Sequence, residues 1–278
     1  MESAPLGIIA GGGDLPLAIA ESAHEAGRGV FVIALTGSAD TWVEAWPHEW
    51  ASLGEVGKVI RALHNANVAE LVLAGKLARP KFHEVKLDAK GVLVAPKIIA
   101  AARKGDDALL RSVLELMERE GFHPVGSADA APGLLAPAAV MGSRSPSRDE
   151  QGDIALAFKI VRTMGSLDLG QAAVVCEGLT LAVEAAEGTD AMVARVGTLP
   201  ENIRGTADRR RGVLVKAPKP TQDRRADLPV IGVQTVHNAA AVGLAGIAVE
   251  AGGALILRKQ AVIAEADRLG LFLVGVPE

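Results

Sequence analysis

The sequence predicts an α/β protein of two domains, and three observations carry that expectation. Of the 278 residues 49% are apolar but only 3% aromatic, so the core is built from Ala, Val, Leu and Ile, as where helices cover a sheet. The chain opens with a short apolar run that ends in glycines and passes into a helical pattern, GIIAGGGDLP. The first half then keeps alternating apolar runs with helical periodicity, which predicts parallel strands joined by right-handed crossovers. The chain is long for one compact core and comfortable for two.

Leu6 to Ala10 reads as the first strand. Leu15, Ala18, Ile19, Ser22, Ala23 and Ala26 then share a helical face, and Gly27 stops that helix. Val30 to Leu35 is a continuous apolar run, as expected of a strand covered on both faces. A helix over Glu55 to Asn67 and a strand over Glu70 to Leu73 follow. The pattern is helical again from Asp106 to Glu120, and a short strand leads into Ala131 to Arg148, rich in Pro, Gly and Ser without periodicity. The expected division is therefore residues 1–134, a linker at 135–148 and residues 149–278.

The second half opens with a helix, Asp149 to Met164, with Ile154, Phe158 and Val161 on one face. Strands are expected at Ala172–Cys176, Leu179–Val183, Gly212–Val215, Ala254–Leu257 and Leu271–Val274. Helices are expected near Ala191–Val196, Thr235–Glu250 and Val262–Leu269, the last stopped by Gly270.

A net charge of −4 gives no electrostatic footprint for nucleic acid. One cysteine, Cys176, and no cluster of zinc ligands fit a reducing cytosol. The start lacks the basic and apolar pattern of a signal peptide. The apolar stretch Val230 to Leu257 is broken by Gln234, His237, Asn238 and Glu250, so it reads as soluble core rather than a membrane span. A cytoplasmic protein is expected.

Five segments have the residue types for chemistry. Gly11-Gly12-Gly13-Asp14-Leu15-Pro16 lets backbone come close to a ligand at a helix start, where free N–H groups favour an anion such as a diphosphate. It is neither a dinucleotide fingerprint, since Pro16 holds the third glycine position, nor a Walker A loop; a plain tight turn is the competing reading. Gly75, Lys76 and Arg79 follow the third strand and should lie beside that loop, with two cations for phosphate. Gly105-Asp106-Asp107 is more simply a helix cap. Glu184, Glu187 and Asp190 crowd the end of a strand, as if to recruit a divalent cation. Lys216 to Pro229 follows another strand and combines Asp223 and Asp227, four apart, with Lys219, Arg224 and Arg225. Carboxylates for Mg²⁺ and cations for phosphate are the ingredients of phosphoryl transfer. Arg209 to Arg211 reads as a solvated run or a headgroup contact, and His237 as a buried, satisfied residue.

With GIIAGGGDLP, AGKLARP, GDDALL, LAVEAAEGTDAM and KPTQDRRADLPVIG in this order, nearly the whole chain resembles the bacterial UDP-2,3-diacylglucosamine pyrophosphatases of the lipid A pathway, specifically their "I" type. The resemblance implies an N-terminal Rossmann-like domain, a family-specific C-terminal domain and a homodimer. It also implies Mg²⁺-dependent hydrolysis of UDP-2,3-diacylglucosamine to UMP and 2,3-diacylglucosamine 1-phosphate (lipid X), with water attacking the β-phosphorus. On that footing Asp223 and Asp190 are expected to hold Mg²⁺, and Asp227 or Glu187 to orient the water. Gly11, Gly12, Gly13, Asp14, Gly75, Lys76 and Arg79 are expected to grip the UDP part, and Thr189, Lys219 and Gln222 to contact substrate. The acyl chains are expected in an apolar cleft closed around the linker, with peripheral contact at the cytoplasmic face of the inner membrane. Two rivals stand beside this reading: a non-catalytic nucleotide or lipid carrier, and a nicotinamide-dependent oxidoreductase. Against the second, Val30 to Leu35 runs into Thr36-Gly37-Ser38 without an acidic residue closing the strand.

Overall fold

A computed structural model of the chain describes residues 4–77, 85–220, Arg225 and 228–278. They form two compact units, the first ending at Gly133 and the second beginning at Leu134, with Arg225 grouped in the first.

In the first unit β1 (Leu6–Ala10), β2 (Val30–Leu35), β3 (His48–Ala51), β4 (Glu70–Ala74) and β5 (His123–Pro124) make one sheet in the order β3-β2-β1-β4-β5. Every neighbouring pair in it is parallel. The helices are α1 (Asp14–Glu25), α2 (Val56–Asn65), α3 (Ala89–Ala102), α4 (Asp106–Arg119) and the single turn α5 (Ser127–Ala130). Ile33, Leu63, Leu71, Met117 and Phe122 belong to one buried cluster in this unit. On α1 the buried stripe is Pro16, Ile19, Ala20 and Ala23, a small rotation from the expected face. Pro16 is drawn inward because its ring packs at the end of β4, beside Gly75. β3, α3 and the single turn α5 carried no sequence expectation. β3 is a polar edge strand, His-Glu-Trp-Ala, without an apolar run. α3 contains Gly91 and Pro96, both helix breakers, and is held at its start by Asp88. That carboxylate accepts from Gly91 N (2.7 Å) and also from Gly57 N (2.7 Å) and Lys58 N (3.2 Å), so one side chain caps both α3 and α2.

The second unit holds β6 (Ala172–Cys176), β7 (Leu179–Val183), β8 (Val213–Lys216), β9 (Val230–Ile231), β10 (Gly246–Glu250), β11 (Leu255–Ile256) and β12 (Phe272–Val276). Its main sheet runs β12-β10-β8-β6-β7, parallel from β12 to β8 and antiparallel beyond, and β9 and β11 pair separately. The helices are α6 (Arg148–Ser166), α7 (Gly188–Val196), α8 (Val233–Ala241) and α9 (Lys259–Leu269). Strand periodicity sorts the core into two layers. Ala173, Val175, Val213, Val215 and Ala248 pack with Ile154, Phe158 and Val161 of α6. Ala172, Val174, Leu214, Ile247 and Val249 pack with Met192 of α7, Val236 of α8 and Val262 of α9. The start of α6 is a capping box, with Ser147 N donating to Glu150 Oε2 (2.7 Å) and Glu150 N to Ser147 Oγ (3.3 Å).

The helix expected over Thr235–Glu250 is corrected: α8 ends at Ala241, a turn follows, and Gly246–Glu250 is β10, a fully buried strand. An Ala, Val and Gly run satisfies both patterns, and the break comes from Gly243, whose φ of 80° reverses the chain against Gly205. Residues 134–142 are tied to the second unit's backbone. Ala136 N donates to Ala254 O (2.9 Å), Met141 N to Leu273 O (2.8 Å) and Gly275 N to Ala139 O (2.9 Å). Arg144 then lies over the Phe272 ring at 5.4 Å, donates to the Ala245 carbonyl and pairs with Glu150 (2.6 Å). No helix among the described residues is long and apolar enough to cross a membrane.

Candidate functional site

In the first sheet the strand order reverses between β1 and β4, and open parallel sheets take ligands outside the carboxyl ends of the strands at such a point. The loops of that end are laced together. Gly12 N donates to Lys76 O and Lys76 N to Gly12 O, both at 2.8 Å, and Gly11 N donates to Ala74 O at 2.8 Å. The loop after β2 joins them through Gly13 N, which donates to Asp40 Oδ2 (3.1 Å). A side chain at Gly11 would place its Cβ 2.5 Å from Lys76 O, and one at Gly12 would come within 2.7 Å of Ser38 O. The glycines therefore let three strand ends close on one another, and the N–H groups of Gly11, Gly12 and Gly13 are engaged in doing so. The groups presented outward are the first turn of α1, with N–H groups that have no intrahelical partner, and the exposed side chains of Asp14 and Lys76. Asp40 was not singled out from sequence, because it lies five residues beyond the end of β2 and only the fold returns it to Gly13. Arg79 lies outside the described residues.

In the second unit the three carboxylates of the Glu184–Asp190 stretch take separate roles. Glu184 is buried and accepts from Gln171 N (2.9 Å) and from the Thr189 hydroxyl (2.7 Å), which fixes the turn between β7 and α7. Glu187 pairs with Arg195 at 3.0 Å. Asp190, exposed in the first turn of α7, accepts from Asn238 Nδ2 (2.9 Å) on α8, and Gln234 Nε2 donates to the Asn238 amide oxygen (2.8 Å). Asn238 was missed; its signal was the Gln-x-x-x-Asn spacing on one helical face. Lys219 Nζ meets Asp168 Oδ1 at 2.6 Å, and the buried Lys216 donates to Val230 O (3.0 Å). Gln222, Asp223 and Asp227 lie outside the described residues. Among the described residues no three His, Cys, Asp or Glu side chains are grouped to hold a metal ion.

His237 is not buried as expected: the inward face of α8 is Val236, Ala239 and Ala240, and His237 points outward to Glu265 at 2.5 Å. Arg210 and Arg211 are not a solvated run either. Arg210 donates to Ala240 O (2.9 Å), and Arg211 to Arg204 O (2.6 Å) and Glu177 (2.9 Å), so both brace backbone turns. Burial pushes the Cys176 thiol up to about 11, which suits a core residue rather than a nucleophile. Hydrogen bonds from Arg268 and then His237 pull the Glu265 carboxyl from 4.5 down to about 2. A carboxyl depressed in the folded state stabilises above its unfolded value, and that contribution is lost as pH falls toward the folded one. Thermal melts of wild type and Glu265→Gln should therefore differ at neutral pH and converge between pH 4.5 and about 2. Parallel curves across that range would remove Glu265 from the acid response.

The parallel strand order and the glycine turns at the switch point define the first unit as Rossmann-like. Residues 5–134 match the family model of the LpxI N-terminal domain and residues 137–274 that of the LpxI C-terminal domain. The chain is also 50% identical over 271 residues, 98% of its length and 97% of the relative's, to the UDP-2,3-diacylglucosamine pyrophosphatase LpxI of Caulobacter vibrioides. The chain belongs to the LpxI family.

Proposed function

We propose that the protein hydrolyses the diphosphate of UDP-2,3-diacylglucosamine to UMP and 2,3-diacylglucosamine 1-phosphate (lipid X) in lipid A synthesis. The observation that carries this is the 50% identity, over almost the full length of both chains, to a relative that bears this activity as its name. A water oxygen bonds to the β-phosphorus, the bond from that phosphorus to the bridging oxygen breaks, and UMP leaves with the bridging oxygen.

In this reading the first unit takes the nucleotide part at Gly11–Asp14, Gly75, Lys76 and Arg79. Lys76 meets phosphate charge and the start of α1 adds its N–H groups. Gly11, Gly12 and Gly13 act by shape rather than donation, since their N–H groups are already engaged. Carboxylates from the later half of the sequence supply the groups that break the bond. Asp190, exposed and steered by Asn238, and Asp223 are both carboxylates, the oxygen donors that a hard cation takes, and they are assigned to Mg²⁺. When bound, Mg²⁺ neutralises charge on the diphosphate and the leaving group. Asp227 or Glu187, the latter held by Arg195, orients the water. Thr189 shapes the loop through Glu184, and Lys219 and Gln222 contact substrate. The reading includes a cytoplasmic homodimer that works at the inner membrane.

Purified protein with Mg²⁺ should release UMP and lipid X from the substrate, stop on chelation with EDTA and resume when Mg²⁺ is restored. In ¹⁸O-labelled water the label should enter the sugar phosphate. No UMP release with Mg²⁺ present would overturn the activity; label in UMP would move the attack to the other phosphorus.

A further inference from the structure

Helix α3 is apolar on almost every side: between Lys90 and Arg103 its one charged residue is Lys97. Its inner side rests on α2 and α4, and its start is fixed by the Asp88 cap. Its outer side is exposed among the described residues. Val92 is 59% and Leu93 78% exposed, and Pro96 and Ala100 continue the same stripe at helical spacing. No other large apolar side chain among the described residues is as exposed as Leu93, and Leu87, just before the helix, is 43% exposed. A helix that is apolar all round belongs in a core or in lipid.

Charge says which. Residues 85–105 carry Lys86, Lys90, Lys97, Arg103 and Lys104 against Asp88 alone, five cations to one carboxylate in a chain whose net charge is −4. Lys90 is answered by Glu120, just past the end of α4, at 2.7 Å, and Lys97 by Glu115 of α4 at 2.6 Å. Arg103 and Lys104 stand exposed at the end of the stripe. An apolar ridge flanked by cations is the pattern of a helix lying in a lipid headgroup layer. At 14 residues α3 is short of the roughly 20 needed to span a bilayer. The stripe is also narrow for a stable dimer, which buries about 800 Å² on each partner.

We propose that the outer face of α3 docks the protein on an anionic bilayer, with Leu93 and Val92 entering the headgroup boundary and Arg103 and Lys104 meeting lipid phosphates. The proposal rests on the reading above that the substrate is an acylated lipid, and vesicle binding is measured without substrate so that the two can fail separately.

The full chain should co-sediment with phosphatidylcholine vesicles containing phosphatidylglycerol, much less with phosphatidylcholine alone, and less in high salt. Leu93→Asp should weaken vesicle binding about tenfold or more, and Arg103→Glu with Lys104→Glu should abolish the preference for phosphatidylglycerol. Leu93→Asp should keep the hydrolysis of detergent-dispersed substrate and lose that of vesicle-embedded substrate. Wild-type failure to bind vesicles overturns the docking, as does undiminished binding by Leu93→Asp. A fall in molar mass on Leu93→Asp, read by light scattering, also overturns it, since the face would then join copies of the chain. Binding that responds to these variants, in a protein that hydrolyses neither form of the substrate, supports the docking and sinks the activity instead.

Discussion

Asp223→Ala is expected to lower turnover by about 10³-fold or more while substrate affinity changes only a few-fold. The expectation follows from what a carboxylate does in phosphoryl chemistry. On the proposed reading, losing this oxygen donor to Mg²⁺ would weaken neutralisation of the charge that grows on the leaving oxygen, so the loss would fall on the transition state. Grip on the uridine, the sugar and the acyl chains does not depend on that donor. The two quantities are read separately, turnover from UMP release and affinity from equilibrium binding of unhydrolysed substrate to the variant. Asp190→Asn is the companion. It keeps the size of the side chain beside Asn238, so a loss of turnover at unchanged melting temperature would report donor chemistry rather than a loosened α7–α8 contact. Wild-type turnover in Asp223→Ala would take Asp223 out of the catalytic set and move the assignment to Asp227 and Glu187.

How far the sequence announces this molecule depends on which force places each residue. β1, β2 and β6 fall where apolar runs predict them, because a strand covered on both faces leaves a local imprint. β10 was hidden because Gly246 to Glu250 has the composition of the helix before it; only the reversal at Gly243 and pairing with β8 and β12 decide its form. α3 was hidden by Gly91 and Pro96, and its formation rests on a carboxylate cap and neighbouring helices. The same distinction runs through the candidate site. Glycines after β1 announce that something comes close, but not what: here the neighbouring strand ends do. Three carboxylates within seven residues suggest a shared ion, yet Glu184 turns inward to Gln171 and Thr189, and Glu187 turns to Arg195. Proximity along the chain did not become convergence in space, and Asp40 shows the converse, since distance along the chain hid its contact with Gly13.

Gly75→Ala should therefore act on stability before it acts on nucleotide. Gly75 has φ of 94°, and a Cβ there would sit 2.8 Å from both Gly12 O and the Pro16 ring and 2.9 Å from Gly11 C. The left-handed backbone penalty and the clash against rigid backbone together are worth about 2–4 kcal/mol. That corresponds to a melting temperature roughly 5–10 °C lower. The drop should be present without any ligand, because what is forced apart is the clasp between the β1 and β4 loops. Lys76→Ala makes the contrast: its backbone keeps both hydrogen bonds to Gly12, so the melting temperature should hold, while UMP affinity falls about 5–30-fold if the ammonium meets phosphate. A Gly75→Ala protein that melts like wild type but no longer binds UMP would reverse the assignment, making the glycine a ligand cradle and the clasp incidental. The pair of measurements thus separates what the glycines do for the fold from what Lys76 does for the nucleotide, at the one sheet edge where sequence alone had merged them.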